Sequence, residues 1–359
     1  MKFFTKDNRS ALEAKHIAQF IAFGPVVFQV AKVMRDKGIL KLIEDKTPSG
    51  GINLQDIATQ TNIQEYGVRV LLESSLGIGL VVVSDEGNYS LTKTGYFILH
   101  DPLTIVNMDF IHDVNYKGLF HLDKAIETGK PEGLKELGDW PTVYEGLSKL
   151  PPHIQKSWFA FDHFFSDIAF PEVLKNVYKY GVKNMLEIGG NTGKWAVAST
   201  SYNPDVHITI MDLPGQASMA EKKVKELGLE ERVSFFPNNV LDETKSFPNG
   251  FDSVWMSQFL DCFSEAEIVS IMKRCGEAIN DDGYIFILEA FWDTQRFETA
   301  AFCLQQTSIY FTAVANGNSQ MYDSRVFIKS IKEAGFEIVE QVDGIGLSHT
   351  LLVCKKVEA

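Results

Sequence analysis

Two carboxylates and a glycine-rich loop have a spacing that could bind a nucleoside. The apolar segment 184–188 carries Glu187 near its end and leads into the loop Gly189-Gly-Asn-Thr-Gly193. Glycines let the backbone approach a ligand closely, and the helix that follows would offer its N-terminus to negative charge. A second apolar segment ends in Asp212, whose carboxylate can accept hydrogen bonds from both ribose hydroxyls. This pattern predicts a nucleoside-binding strand, loop and helix beside a partner strand.

The details of the loop favour S-adenosylmethionine (SAM) over a nicotinamide dinucleotide. The dinucleotide fingerprint has glycines at its first, third and sixth positions. With Gly189 in the first position, this chain has Asn191 at the third and Lys194 at the sixth. Glu187 could anchor the ammonium of a methionine moiety, and the same carboxylate would repel a pyrophosphate. An ordinary tight turn is the remaining alternative. Together with Asp212, these residues predict a SAM-dependent methyltransferase.

Length and composition favour a two-domain protein that acts on a small molecule. The chain has 359 residues, of which 45% are hydrophobic, 12% aromatic and 23% charged, and its formal net charge is −13. Two domains are usual at this length. The negative charge disfavours nucleic acid and anionic membranes as partners, because phosphate binding needs clustered Lys and Arg. We therefore expect a small neutral or aromatic substrate, no nucleic acid and no membrane.

The cysteines and the N-terminal segment favour a cytoplasmic protein without a metal. The four cysteines form no C-x-x-C pair, so we expect neither a zinc site nor a disulfide framework. The first residues lack the apolar region of a signal peptide. The apolar segment 17–33 is interrupted by polar residues, Gly24 and Pro25, and is too broken to span a membrane. It predicts a helix that is buried or lies in a dimer interface.

Residues 1–100 show the order of elements typical of a winged-helix domain. Three segments with apolar residues at helical spacing are followed by a hairpin pattern with a turn at 85–88. A DNA-binding regulator is the alternative function for such a module. Its DNA-facing segments would carry Arg69 and Lys93 against five acidic residues, which would repel phosphates. We therefore expect a dimerisation domain that forms a homodimer through apolar helices around Val26 to Leu42.

The rest of the chain predicts a helical connector at 101–180 and a SAM-binding domain at 181–359. The connector is rich in aromatic residues and is expected to contribute to the substrate pocket. Within it, Asp162 and His163 form either a structural pair or part of a cofactor or substrate site. From residue 181, strands alternate with helices as in a doubly wound sheet, and the last two strands are close enough to pair as a hairpin. The seven predicted strands span 184–188, 207–211, 232–236, 252–256, 284–288, 336–341 and 348–354.

These motifs resemble the two-domain SAM-dependent O-methyltransferases, including plant caffeate-type and bacterial polyketide-tailoring enzymes. The resemblance covers nearly the whole chain. It implies an α/β fold in which a Rossmann-like class I methyltransferase sheet of seven strands follows a mostly helical, winged-helix-like dimerisation domain. It also implies a homodimer that methylates a small aromatic acceptor, most readily on oxygen. The segments that carry it are 186–193, Asp212-Leu-Pro214, 259–265, 273–279 and 283–289.

The resemblance assigns cofactor roles to individual residues. Gly189 and its loop would contact the methionine moiety, and Asp212 with Leu213 would contact the ribose and adenine. Asn239, or Asn238 in the adjacent register, stands where the family has an Asp that holds the adenine amino group, and an amide oxygen can accept that hydrogen bond. The expected SAM contacts are Glu187, Gly189, Gly190, Gly193, Asp212, Leu213, Asn238, Asn239, Val240 and Ser257.

The chain departs from the family at the catalytic positions. Asp261 stands where the family has a histidine base, Glu289 matches a family carboxylate, and another family carboxylate falls on Met321. Methyl transfer could still proceed, because holding an acceptor in line with the methyl lowers most of the barrier. Burial and the neighbouring Glu289 would raise the pKa of Asp261 toward neutrality, so Asp261 could act as a base toward a phenol. Asp261 and Glu289 are therefore the candidate catalytic residues.

Other interpretations of these residues stay open. Asp261 could be only the N-cap of the helix that begins near residue 265, and Cys262 could be a nucleophile, although it has no evident thiolate-stabilising partner. The acceptor atom could be a carbon of an activated ring, or the chain could be a SAM-binding regulator without turnover. The residues expected to contact the acceptor are Phe159, His163, Cys262 and Met321.

Overall fold

A computed structural model describes residues 3–357 of the chain. These residues form two compact units, one of residues 4–109 and one of residue 3 with residues from 110 onward. The first unit has a helical core and one short hairpin, which confirms the predicted helices followed by a hairpin. Its helices are α1 (Ala11–Ala22), α2 (Gly24–Asp36), α3 (Ile39–Lys46), α4 (Leu54–Thr61), α5 (Glu65–Ile78), α6 (Lys93–His100) and α7 (Pro102–Phe110), and its strands are β1 (Val81–Val83) and β2 (Tyr89–Leu91).

The apolar segment 17–33 is not one buried helix. It breaks at Phe23, because Pro25 starts the new helix α2, and the preceding helix α1 has no buried residue. The side chains of Leu12 and Ile21 in α1 are 80% and 74% exposed. Part of the segment expected to form a dimer interface is instead in the core of this unit, since Leu40 is fully buried. Exposed apolar side chains therefore lie on α1 and at Val26 of α2, whereas α3 contributes to the core.

No single helix in residues 3–357 is long and apolar enough to cross a membrane. The helices α1 and α2 reach the required length and composition only as a pair, and they meet at an angle of 70°.

The second unit is built on a seven-stranded sheet in the order β5-β4-β3-β6-β7-β9-β8. The first five strands in this order are parallel to one another, and β9, which is antiparallel to β7, forms an antiparallel hairpin with β8, as predicted. The strands are β3 (Asn184–Ile188), β4 (His207–Asp212), β5 (Val233–Pro237), β6 (Phe251–Ser257), β7 (Ile279–Glu289), β8 (Phe336–Ile345) and β9 (His349–Lys356). The helices are α8 (Leu122–Thr128), α9 (Val143–Gly146), α10 (Pro152–Tyr178), α11 (Lys194–Tyr202), α12 (Pro214–Glu226), α13 (Glu265–Ala278), α14 (Glu298–Tyr310) and α15 (Ser324–Glu333).

Alternate side chains of β3 and β6 point to opposite faces of the sheet, as strand geometry requires. Leu186 and Val254 pack in a core with α13 and α15, whereas Met185 and Trp255 pack in a second core with α10, α11 and α12. Both faces are therefore covered by helices. Ligands bind such sheets outside the carboxyl ends of the parallel strands, and the segments after β3, β4 and β6 meet at that edge.

Candidate functional site

The loop after β3 adopts a conformation that needs glycine. Gly189 has a φ of +76°, and a Cβ atom there would lie 2.2 Å from the ring of Phe259. A Cβ atom on Gly190 would lie 2.6 Å from the side chain of Ile210. Gly193 has a φ of +77° and is the N-cap of α11. The loop therefore packs closely on its neighbours while its other side lines a cavity, which an ordinary tight turn does not explain.

Glu187 and Asp212 lie beside this loop in a negatively charged site. Asp212 accepts hydrogen bonds from the backbone N–H groups of Asn191 at 2.8 Å and Leu213 at 2.7 Å, and burial raises its pKa to about 6. The Oε2 atom of Glu187 is buried and has no hydrogen-bond partner among residues 3–357. Burial and the charge of Asp212 raise the pKa of Glu187 well above its usual range. An unpaired buried carboxyl oxygen beside a cavity is a site for a cationic or hydrogen-bond-donating ligand.

The cavity has a volume of about 230 Å³, and all its lining residues belong to the second unit. It brings together most of the residues singled out in the sequence. Those that line it are Glu187, Gly189, Gly190, Asp212, Leu213, Asn238, Asn239, Val240, Ser257, Asp261, His163, Cys262 and Met321. Gly193, Phe159 and Glu289 lie outside the lining.

Asn238 and Asn239 differ in whether their amide oxygens are free. The side chain of Asn238 is 3% exposed, and its Oδ1 atom has no partner among the described residues. The Oδ1 atom of Asn239 accepts a 2.9 Å hydrogen bond from the backbone N–H of Leu241, so it holds a local turn. Asn238 is therefore the better placed of the two to accept a hydrogen bond from a ligand.

An aromatic wall forms another part of the cavity. The rings of Phe110 and Phe161 stack at 4.0 Å, and Phe110 also meets the ring of Tyr310 edge-on at 4.9 Å. The indole N–H of Trp158 donates a 2.8 Å hydrogen bond to the Tyr310 hydroxyl, which fixes both side chains. The sequence interpretation did not identify these residues. The helical spacing of Trp158, Phe161 and Asp162 on α10 was the available signal, because residues three and four apart share a helix face.

Asp162 and His163 contact the glycine loop. Asp162 accepts a 2.9 Å hydrogen bond from the side-chain amide of Asn191, and His163 Nε2 lies 3.3 Å from the Thr192 hydroxyl. Burial and the charge of Asp261 raise the pKa of Asp162 to about 7, whereas burial lowers the pKa of His163 to about 4. Phe159 stacks on the ring of His163 and does not reach the cavity. The pair is therefore part of the cavity wall beside the loop.

Asp261 is buried in the cavity and does not cap α13. The N-cap is Ser264, which forms a capping box with Glu267. The side chain of Asp261 is 4% exposed, and its Oδ1 atom accepts a weak hydrogen bond from the Cys262 thiol at 3.4 Å. Burial raises the pKa of Asp261 to about 7. Burial and the charge of Asp261 raise the pKa of Cys262 well above its usual range, so this thiol is not a nucleophile at neutral pH.

Glu289 lies behind the turn that carries Asp261. Its Oε1 atom accepts hydrogen bonds from the backbone N–H groups of Phe259 at 3.0 Å and Leu260 at 2.8 Å. On the other side of the turn, the amide of Asn316 donates a hydrogen bond to the backbone carbonyl of Cys262. Because Glu289 does not line the cavity, it can influence a bound acceptor only through this turn.

Two family models match the chain. Residues 15–89 match a Dimerisation2-like domain, and residues 151–337 match an O-methyltransferase domain. The chain belongs to the O-methyltransferase domain family. It is a SAM-dependent methyltransferase, which confirms the function predicted from the glycine loop and its two carboxylates.

Curated relatives of this methyltransferase are distant in sequence but extend over most of the chain. It is 22% identical over 360 residues to the L-tyrosine C(3)-methyltransferase of Streptomyces lavendulae, which covers 97% of this chain and 94% of that protein. It is 22% identical over 270 residues to the 2,7-dihydroxy-5-methyl-1-naphthoate 7-O-methyltransferase of Streptomyces carzinostaticus, covering 74% and 77%.

Solved structures show the same fold. The SAM-dependent methyltransferase SibL in its apo form aligns over 95% of this chain and 99% of its own, with a TM-score of 0.70 and 22% identity. An O-methyltransferase from neocarzinostatin biosynthesis, in complex with SAM and 2-hydroxy-5-methyl naphthoic acid, aligns over 98% of this chain and 100% of its own, with a TM-score of 0.69 and 18% identity.

Proposed function

We propose that this methyltransferase methylates a small aromatic acceptor on oxygen, within the 230 Å³ cavity. The observation that carries the proposal is that one aromatic-walled cavity holds a buried carboxyl group, Asp261, beside the glycine loop and its carboxylates. Asp261 has a pKa of about 7, so near neutral pH it can accept the proton of a hydroxyl group. An aromatic ring fits the stacked and edge-on rings of the wall.

The residues around the loop fit SAM, which supplies an electrophilic methyl group on a sulfonium when bound. Glu187 would bind the ammonium of the methionine moiety, since its Oε2 atom has no partner in the described part of the chain. Asp212 would accept hydrogen bonds from the ribose hydroxyls, because each of its oxygens has a further lone pair. Asn238 would accept a hydrogen bond from the adenine amino group through its free Oδ1 atom.

In this proposal Asp261 is the catalytic base and Glu289 is a positioning residue. Asp261 takes the acceptor's hydroxyl proton on its carboxylate, and the acceptor oxygen becomes an ether oxygen. The methyl–sulfur bond would break as the methyl–oxygen bond forms, and S-adenosylhomocysteine would leave. Glu289 and Asn316 hold the turn of Asp261 from opposite sides through backbone hydrogen bonds. The aromatic wall orients the acceptor and keeps water from the reacting atoms, and such positioning lowers most of the barrier. His163, Cys262 and Met321 contact the acceptor, and Phe161 replaces Phe159 as the α10 ring in contact with it.

Methylation of a ring carbon is the second candidate. The relative that covers 97% of this chain is a tyrosine C(3)-methyltransferase. When Asp261 removes the hydroxyl proton of a phenol, negative charge also develops on the ring carbons beside the oxygen. The same base could therefore prepare either atom, and the placement of the ring selects between them.

The homodimer is also a proposal, and it is supported by the Dimerisation2-like domain and by the exposed apolar side chains of α1. The domain boundaries 1–100, 101–180 and 181–359 stay a prediction. The structure groups residues 110–180 with the sheet, which is consistent with a connector that contributes to the pocket. Cytoplasmic location likewise stays a prediction.

The test combines calorimetry with product analysis. SAM titrated into the protein should bind in a one-to-one ratio, and NADH should not bind. A radiolabelled methyl-transfer screen over phenols, quinols and aromatic acids should then identify an acceptor, and NMR of the product distinguishes an O-methyl from a C-methyl group. Binding of SAM without transfer to any acceptor would favour a SAM-binding regulator instead.

A further inference from the structure

The charged residues that line the cavity are mostly acidic. Six carboxyl side chains line it, whereas the only lysine is Lys194 and no arginine is present among the lining residues of the described chain. Lys194 forms an ion pair with Asp167, so its charge is already partly neutralised. The six carboxyl groups belong to Glu145, Asp162, Glu187, Asp212, Asp261 and Glu267.

Four of these carboxyl groups have other roles. Glu145 accepts a 3.2 Å hydrogen bond from the backbone N–H of Thr142, and Glu267 accepts a 2.8 Å hydrogen bond from that of Ser264, so both belong to capping boxes. Glu187 and Asp212 are assigned to SAM by the proposed function. Asp162 and Asp261 are the two remaining carboxyl groups, and they are available to contact an acceptor.

Neither Asp162 nor Asp261 forms an ion pair with a lysine or arginine in residues 3–357, although the charge of Lys194 partly offsets that of Asp162. Asp162 accepts its hydrogen bond from a neutral amide at 2.9 Å, and Asp261 from a neutral thiol at 3.4 Å. The Nε2 atom of His163 lies 3.9 Å from the Asp162 carboxyl group, but burial keeps that ring neutral at pH 7. The side chain of Asp162 is 24% exposed and Asp261 is 4% exposed, so neither carboxylate is fully solvated, and a ligand that supplies positive charge is favoured there.

We propose that this cavity selects an aromatic acceptor that carries a protonated amine and rejects one that carries a carboxylate. This inference rests on the proposed function and adds the charge of the substrate to it. The ammonium would form a charge-assisted hydrogen bond with Asp162. A carboxylate would instead add a negative charge to an acidic cavity whose lysine is already paired.

The test compares three phenols of matched size and different charge. Tyramine carries an ammonium, para-propylphenol is neutral, and para-hydroxyphenylpropionate carries a carboxylate. Each is titrated calorimetrically into the protein saturated with S-adenosylhomocysteine at pH 7.5, and kcat/KM is then measured with SAM. We expect tyramine to bind at least about tenfold more tightly than para-propylphenol, and the carboxylate at least about tenfold more weakly, since a charge-assisted hydrogen bond contributes on this scale.

Two variants locate the selection. Asp162→Asn should reduce the preference for tyramine over para-propylphenol by about tenfold, and the ratio of the two affinities is the quantity measured, so an equal change in both does not affect it. Asp205→Asn is the matched control, because Asp205 is exposed on a turn outside the cavity, and it should keep the full preference. Thermal melting of both variants checks that they fold.

The outcomes separate this inference from the proposed function. Equal binding of the three phenols, tightest binding of the carboxylate, or no binding of tyramine at millimolar concentration overturns the charge selection. If the carboxylate phenol is methylated as fast as tyramine, the charge selection fails and the methyltransferase function stands. If tyramine binds preferentially but no phenol is methylated, the charge selection stands and the assignment of a phenolic acceptor fails.

Discussion

The Oε1 atom of Glu289 accepts a 2.8 Å hydrogen bond from the backbone N–H of Leu260, the residue that precedes Asp261. The side chain of Glu289 is 1% exposed, and burial together with the charge of Asp261 raises its pKa well above the usual range. Burial therefore favours the protonated form of Glu289, and its Oε1 atom accepts the backbone hydrogen bonds. It fixes the position of the base without contacting the acceptor.

This relationship predicts different effects for two substitutions of Glu289. Glu289→Gln keeps a neutral side chain whose amide oxygen can accept from Leu260, so kcat and KM should stay within about threefold of the wild type. Glu289→Ala leaves two buried backbone N–H groups unpaired and should lower the free energy of unfolding by about 1–3 kcal/mol per unpaired group. Its kcat should fall at least about tenfold with little change in SAM affinity.

Steady-state kinetics, SAM calorimetry and urea unfolding of the two Glu289 variants measure these effects. Rescue by Gln identifies the hydrogen-bond acceptor as the important feature. A loss of kcat in Glu289→Gln as large as in Glu289→Ala would show that the proton or charge of Glu289 itself takes part in the reaction.

Asp261 should give the reaction a distinct pH dependence. A base must be deprotonated, and burial raises the pKa of Asp261 to about 7, so kcat/KM should rise with pH through about 7 and level off above it. Asp261→Asn should remove this rise and lower kcat by roughly 10²–10⁴. SAM affinity should be nearly unchanged. Measurement of kcat/KM from pH 5.5 to 9 in both proteins tests the assignment.

Ser264→Ala is the control for a merely structural effect at this turn. Ser264 caps α13, so its loss should lower the free energy of unfolding by about 1 kcal/mol and leave the pH dependence of kcat/KM intact. Full activity of Asp261→Asn at pH 7.5 would indicate catalysis by positioning alone. A pH dependence that persists in Asp261→Asn would assign the rise to another group.

The sequence predicted the features that depend on local pattern. The seven strands, the closing hairpin and the glycine loop follow from apolar periodicity and turn residues, and all are present in the structure. The sequence did not predict the features that depend on which side chains come into contact in the folded protein. Phe159 and Phe161 are equally aromatic in the sequence, and only the orientation of α10 places Phe161 in the cavity. The approach of Asp162 to Asp261 joins segments far apart in the chain, so no sequence spacing could indicate it.

The register of the adenine contact can be tested with a pair of adjacent substitutions. Asn238→Ala removes a buried amide oxygen that is free to accept from a ligand, so SAM binding should weaken by about 1–3 kcal/mol. Asn239→Ala removes an oxygen that already accepts a hydrogen bond from the backbone N–H of Leu241, so it should weaken SAM binding much less. Calorimetric titration with SAM measures both. The opposite order of effects would place the adenine contact at Asn239.

The dimer should depend on the exposed face of α1. Ile21 is 74% exposed, so Ile21→Asp should leave the fold of the first unit intact while placing a charge in an apolar interface. We expect sedimentation to show a dimer for the wild type and a monomer for this variant at micromolar concentration. Ile126→Asp is the matched control, because Ile126 is 65% exposed on α8 in the other unit. A dimer of unchanged stability in Ile21→Asp would exclude α1 from the interface.

The stability of the cofactor-free protein should fall as the pH rises from 6.5 to 8. Below pH 6.5 the buried His163 and His349 oppose this trend, because burial lowers their pKa values to about 4 and they gain stability as the unfolded chain loses its protons. Burial raises the pKa values of Asp162 and Asp261 to about 7 and that of Asp212 to about 6, whereas in an unfolded chain the pKa of Asp is about 3.9. A group whose pKa is higher in the folded protein contributes its full stabilisation only at a pH below its pKa in the unfolded chain. This contribution disappears as the pH rises through its pKa in the folded protein. The melting temperature should therefore decrease over this range. The Asp162→Asn/Asp261→Asn double variant should show a weaker decrease, and Asp205→Asn should keep the wild-type slope. A melting temperature that rises toward pH 8 in the wild type would mean that these carboxyl groups are not buried without a counter-charge.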